Sequence, residues 1–425
     1  MRKLISCLVF GNGKQCEDKA AFWNMTFSGL NALQSAVMLL LVTRLCGPEA
    51  GGVFTIAYTT SQLMYTVGSY SFRNFHATDT NRVYSYGAYS RARTVTCCAM
   101  AIAGTLYCLL RQYDPAKTGM VLAACAYRLI EAVEDLDHGE LQRKGYLDVA
   151  GREGTLRLLL CDGTFLLLLL GTRSSLAAML GAATMALAVT VLAHRVYGLL
   201  LEEDSLPVGR RKVRQLLLDC FPLFAAGCLA MYNANAAKYA IDARLGDRAQ
   251  TYYSVIFMPV FTINLLSGMV FRPQLKRMSE LWNGGDWAEF RRVVLRQVAV
   301  IAALAAGITL FGVSVGLRLL GLLYGLELSG YTVHFTILLA GGGLSALYSY
   351  MECCLTVMRR QRVLLPLGCV VAAAALLTAD VLVTRAGLTG ACWVYLGIML
   401  IEALGAAGFT AVFYRQGKRE RETMG

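Results

Sequence analysis

Residues 126–146, AYRLIEAVEDLDHGELQRKGY, gather ionisable side chains within a chain that is otherwise overwhelmingly apolar. Arg128, Glu131, Asp135, His138 and Gln142 recur at intervals of 3, 4, 3 and 4. That spacing puts them on one face of a helix, with Leu129, Ile130, Val133 and Leu136 in an apolar stripe elsewhere on it. A guanidinium offers a planar fork of donors that fits a carboxylate or a phosphate, whereas carboxylates exchange protons or cations. Asp162, on the next expected helix, supplies Arg128 with an ion-pair partner, a role compatible with anion binding.

The other polar faces are thinner. Asn24, Ser28, Asn31 and Ser35 fall at intervals of 4, 3 and 4, with Gln34 beside them; they can hold a ligand's hydroxyls or join helices to one another. Asn233, Asn235, Lys238 and Asp242 form a second set, and Asp380 and Glu402 are solitary carboxylates in apolar surroundings. The last two suit proton or ion coupling, or a hydrogen bond within the protein. No C-x-x-C pair occurs and the four histidines, His76, His138, His194 and His334, are scattered, so no metal site is expected. GNGK lacks the spacing and strand context of a phosphate-cradling loop. With short outer loops and no acidic pair in the basic inner ones, neither an enzyme nor a cofactor is expected.

The elements that carry these residues follow from composition. Hydrophobic residues make up 56% of the chain and charged residues only 16%, where soluble domains have roughly a quarter charged. Mean hydropathy is +0.51. Apolar runs of spanning length, about 20 residues, recur throughout, so backbone polar groups must be satisfied within helices, and the protein is expected to be an all-α integral membrane protein. Twelve spans are expected, at about 20–44, 50–72, 95–110, 118–142, 154–171, 175–198, 216–241, 251–271, 297–317, 332–354, 364–384 and 388–413. With the N-terminus inside, the inner segments hold 30 of the 40 Lys and Arg residues and the outer ones eight. That asymmetry orients the chain with both termini cytoplasmic.

The net charge of +12 is thereby explained by orientation and by anionic lipid headgroups, not by nucleic acid. The fourteen cysteines lie mostly in apolar runs and are read as small packing residues. The N-terminal MRKLISCLVFGNGKQ is too short in its apolar run for a signal peptide and is expected as an interfacial helix on the cytoplasmic face. LKRMSELWNGGDWAEFRRVVLRQ is expected to lie along the inner membrane surface.

At about 1.5 Å per residue, Arg128 falls roughly 15 Å from the outer end of span four, near mid-membrane, with the acidic residues progressively nearer the cytoplasm. A charge there costs at least roughly 2.5 to 3.5 kcal/mol against lipid, so the face is expected to line an inward-facing cavity. The alternative is that Glu134, Asp135 and Asp137 mark an early, solvated end of the span.

An internal repeat supports the count. At an offset of 199, Gly47 meets Gly246, Ala50 meets Ala249, Phe54 meets Tyr253 and Thr55 meets Ser254, which joins span one to span seven and divides the chain into two parallel sets of six. These halves, the short glycine turns (LCG and LG) after spans one and seven, CFPLF with Pro222, and FRPQLKRMSEL after span eight together resemble polysaccharide transporters of the Wzx type. Their superfamily comprises multidrug, oligosaccharidyl-lipid and polysaccharide exporters and includes peptidoglycan-precursor flippases. The resemblance implies two six-helix bundles, 1–200 and 216–425 with its cytoplasmic tail, joined by a cytoplasmic linker at 201–215 around a central cavity open alternately to either side.

It also implies a function: a monomer of the bacterial cytoplasmic membrane that flips an undecaprenyl-pyrophosphate-linked oligosaccharide between leaflets. Membrane lipids and the glycan polymerase and glycosyltransferases of the same pathway would be its partners. The candidate substrate residues are Arg128, Glu131, Asp135, Asn24, Asn31, Asp162, Asn233 and Lys238; coupling to protons, sodium or the membrane potential stays open. The alternatives are a cation-coupled drug antiporter of the same fold, resting on Asp162, Asp380 and Glu402, and a membrane-embedded glycan polymerase.

Overall fold

The structure, a computed structural model, describes residues 17–78, 83–201 and 209–422. Every long element among them is helical. In chain order these are α1 (Glu17–Cys46), α2 (Pro48–Ser69), the short α3 (Phe72–Thr78), α4 (Tyr86–Arg111), α5 (Pro115–Arg143), α6 (Leu147–Thr172), α7 (Ser175–Leu201) and α8 (Arg210–Arg244). There follow α9 (Asp247–Phe271), α10 (Leu275–Gly284), α11 (Trp287–Phe311), α12 (Leu317–Tyr324), α13 (Thr332–Val357) and α14 (Leu364–Glu422).

Nine segments of the described chain are long and apolar enough to cross a membrane. The last of them contains α14, which is broken at Gly387 (φ 56°, ψ −135°). Gly405 beyond the break packs on Leu367 before it, where an added Cβ would stand 2.6 Å from Leu367 Cδ1, so α14 doubles back and supplies two crossings. α2 and α5 have the length but carry more polar side chains. Twelve segments of spanning length result, and the protein is an all-α membrane protein as its composition requires.

Some boundaries differ from the hydropathy reading. The expected third span, 95–110, belongs to a longer helix that begins at Tyr86, because Tyr89, Ala92 and Arg93 are buried and so continue the packed face. The expected inner-surface segment divides into α10 and the start of α11, turned at Gly285 (φ 80°), and Trp282 stands against Trp287 with ring centroids 4.7 Å apart. The expected N-terminal interfacial helix and residues 202–208 of the linker lie outside the described residues.

The repeat is visible in the backbone. Gly47 (φ 91°, ψ 171°) precedes α2 and Gly246 (φ 81°, ψ 179°) precedes α9, a conformation open essentially to glycine alone. Each glycine's carbonyl then accepts the first bond of its helix, from Gly51 N at 3.2 Å and from Gln250 N at 3.2 Å.

Two compact units emerge, Met1–Met231 and Tyr232–Gly425. The first part of α8 packs with the former: Tyr84 donates to Asp219 Oδ2 at 2.6 Å and Tyr70 stacks on Phe224 at 4.2 Å. In this unit α1 lies close on α6, since a Cβ at Gly154 would fall 2.6 Å from the Phe27 ring. The twelve described cysteines are all free.

Candidate functional site

The charged face of α5 is enclosed within the first unit. α5 starts cleanly, with Pro115 in its first turn and the Asp114 carboxylate accepting from Lys117 N at 2.8 Å. Its later turns bury Arg128, Glu131, Glu134, Asp135, Asp137, His138 and Glu140. Buried charge is tolerated only when paired, and each carboxylate has a basic partner. Arg128 donates to Glu131 and to the Tyr58 hydroxyl of α2, with its guanidinium 4.7 Å from the Tyr58 ring centre. Arg157 of α6, 0% exposed, places Nε 2.6 Å from Glu134 Oε2. Asp135 lies 3.3 Å from Arg73 of α3 and 3.2 Å from Arg93 of α4. Glu140 takes His76 at 2.7 Å and Arg143 at 2.8 Å, Asp137 takes His194 of α7 at 2.9 Å, and Glu153 of α6 meets His138 at 2.5 Å.

This arrangement corrects several expectations. Arg128 does not pair with Asp162: its nearer partner is Glu131, one turn along the same helix, while Asp162 Oδ1 accepts from Gln34 Nε2 at 2.8 Å. Gln34 also reaches the Tyr127 hydroxyl at 2.9 Å. Glu134, Asp135 and Asp137 are not a solvated helix end, because α3, α4, α6 and α7 each bring a base to this stretch of α5. The face expected to border a cavity is therefore closed over by neighbouring helices. Arg157 lies within α6, in the stretch expected as span five.

The polar stripe of α1 is not drawn in. Asn24 and Asn31 are half-buried, and Gln34, 1% exposed, is the α1 residue that joins the network. In the second unit Asn233 donates to Glu402 Oε1 at 3.0 Å and to the Gly368 carbonyl at 3.3 Å. Lys238 Nζ lies over the Phe257 ring at 5.3 Å. Asp380 is half-exposed and bonded to Arg244 at 2.8 Å, so of the two solitary carboxylates only Glu402 is buried.

One grouping was not visible in the sequence. Glu134, His138 and Glu153 bring ligand atoms within 4.8 Å of one another, all buried, and carboxylate–imidazole sets of this kind can bind a cation or share a proton. Arg157 already supplies positive charge beside Glu134, which works against adding a further cation there. His138 was legible on the α5 face; its meeting with Glu153 depends on how α5 and α6 pack.

No known family's sequence profile and no curated protein matches this chain. Solved structures do. A lipid II flippase, MurJ in an inward closed conformation, superposes with TM-score 0.67 at 11% identity, over 94% of this chain and 91% of that one. The eukaryotic MATE transporter AtDTX14 gives 0.58 at 11% identity, over 95% and 98% of the two chains. A MOP superfamily transporter from Pyrococcus furiosus gives 0.55 at 13% identity, over 97% of each. The chain has the fold these transporters share, along nearly its whole length.

Proposed function

We propose that the protein is a flippase that moves an undecaprenyl-pyrophosphate-linked oligosaccharide across the bacterial cytoplasmic membrane by alternating access, with both termini cytoplasmic. The observation that carries this reading is the likeness to the lipid II flippase, at TM-score 0.67 against 0.58 for the MATE transporter AtDTX14. A pyrophosphate in a membrane needs a cation, and arginine meets phosphate in a bidentate fork. Arg128 is proposed as that cation: held by Glu131 and Tyr58 when the site is closed, it would exchange the carboxylate for the pyrophosphate on opening. Glu131 and Asp135 would tune the exchange. Asn24, Asn31, Asp162, Asn233 and Lys238 are proposed to meet the glycan or the phosphates in other states of the cycle.

The second reading is a cation-coupled drug antiporter. Glu402, buried and bonded to Asn233, favours it, as do the MATE structures of the same fold. Cells lacking the protein separate the two. Accumulation of lipid-linked glycan at the inner leaflet with unchanged drug content supports the flippase; raised drug content with normal surface glycan supports the antiporter.

A further inference from the structure

A groove of about 650 Å³ runs between α4, α5 and α7 of the first unit, and its lining is graded from polar to apolar. At one end stand Tyr86, Ser90, His194 and Arg195; at the other, Ala101, Leu129 and Leu187. From Tyr86 to Ala101 the helix advances about 22 Å, enough to follow one leaflet's hydrocarbon, about 15 Å, together with its polar boundary. That is the polarity profile of a single lipid molecule.

Three observations narrow the occupant. Arg195 is exposed at the polar end and makes no ion pair among the described residues. Asp137, the groove's carboxylate, already accepts from the Tyr86 hydroxyl at 2.6 Å and lies 2.9 Å from His194 Nδ1, which leaves Arg195 as the charge at this end that a headgroup phosphate can neutralise. Thr190, more than nine-tenths buried, lines the groove with its hydroxyl unpartnered. Unsatisfied buried hydroxyls cost free energy, and this one lies about 7 Å along α7 from Arg195. An ester carbonyl sits at that depth below a lipid phosphate.

We propose that this groove binds one anionic glycerophospholipid, with its phosphate at Arg195, an ester carbonyl accepting from Thr190, and an acyl chain along Val133 and Leu187. The assay is native mass spectrometry of the whole protein released from nanodiscs containing equal palmitoyl-oleoyl phosphatidylglycerol and phosphatidylcholine. The expected result is one retained phosphatidylglycerol per chain. Arg195→Gln should lower that retention roughly tenfold, the scale of one charge-assisted bond, and Val133→Trp, which fills the groove, should abolish it. Thr190→Val should weaken retention of ester-linked but not ether-linked phosphatidylglycerol. Unchanged melting temperatures in phosphatidylcholine alone show that the variants fold. Equal retention of the two lipids, or full retention by folded Val133→Trp, overturns the proposal; so does displacement of phosphatidylglycerol by inorganic phosphate or by a polyprenyl phosphate, which has no ester.

Discussion

Replacing Arg157 by methionine should destabilise the first unit more than any other single change on α6. The guanidinium is 0% exposed, 2.6 Å from Glu134 Oε2 and 5.7 Å from the Tyr127 ring centre. Removing one member of a buried ion pair leaves the other charge uncompensated and costs roughly 3 to 5 kcal/mol. In a unit of the size of Met1–Met231, each kcal/mol corresponds to about 2 to 4 °C, so the apparent melting temperature should fall by roughly 10 °C. Glu134→Gln should cost about as much, because it strands Arg157. The double variant removes both charges and leaves His138 bonded to Glu153 at 2.5 Å, so it should recover to within about 1 to 2 kcal/mol of the parent. The assay is thermal unfolding in detergent, followed by tryptophan fluorescence for all four proteins of the cycle. A double variant whose loss equals the sum of the singles would refute the pairing.

Arg128→Ala should abolish glycan export while the protein still accumulates, and Arg128→Lys should be partly active. Adding Asp162→Ala should restore nothing, because Asp162 is held by Gln34; rescue of export by that double change would reinstate the ion pair expected from sequence. Gly154→Val should push the Phe27 ring, 2.6 Å from the new Cβ, and cost about 1 to 3 kcal/mol, read as a lower melting temperature; an unchanged value would mean that α1 and α6 are not in contact. A single cysteine at Ala243, in a background without the native cysteines, should react with an impermeant thiol reagent added outside intact cells. Reaction only after permeabilisation would overturn the proposed orientation.

The helices were legible because lipid demands long apolar runs, and the repeat was legible because one turn needs a conformation that only glycine adopts, so Gly47 and Gly246 stayed in register. The α5 face was legible too, from its helical spacing. Its partners were not. Glu153 and Arg157 stand in the first half of α6, and nothing in their spacing shows that α6 runs back beside α5. Hydropathy marks where a helix is apolar, not which neighbour covers its polar face. Arg73, Arg93 and His194 come from three further helices, and this is why carboxylates that resemble a solvated helix end are in fact buried. The Arg128–Asp162 pairing failed for a local reason: Glu131, one turn along the same helix, reaches the guanidinium without any packing between helices, and Gln34 occupies Asp162.

Flippase activity is read directly from transbilayer movement of an undecaprenyl-pyrophosphate-linked oligosaccharide carrying a fluorescent label. The protein is reconstituted in liposomes and the outward-facing label is quenched from outside. Flippase activity predicts that quenching proceeds to near completion with the intact protein and stops at about half with Arg128→Ala, since only the outer leaflet would then be accessible. Quenching that stops at about half with both proteins, while a cationic dye crosses the same liposomes, would contradict the account and favour the antiporter.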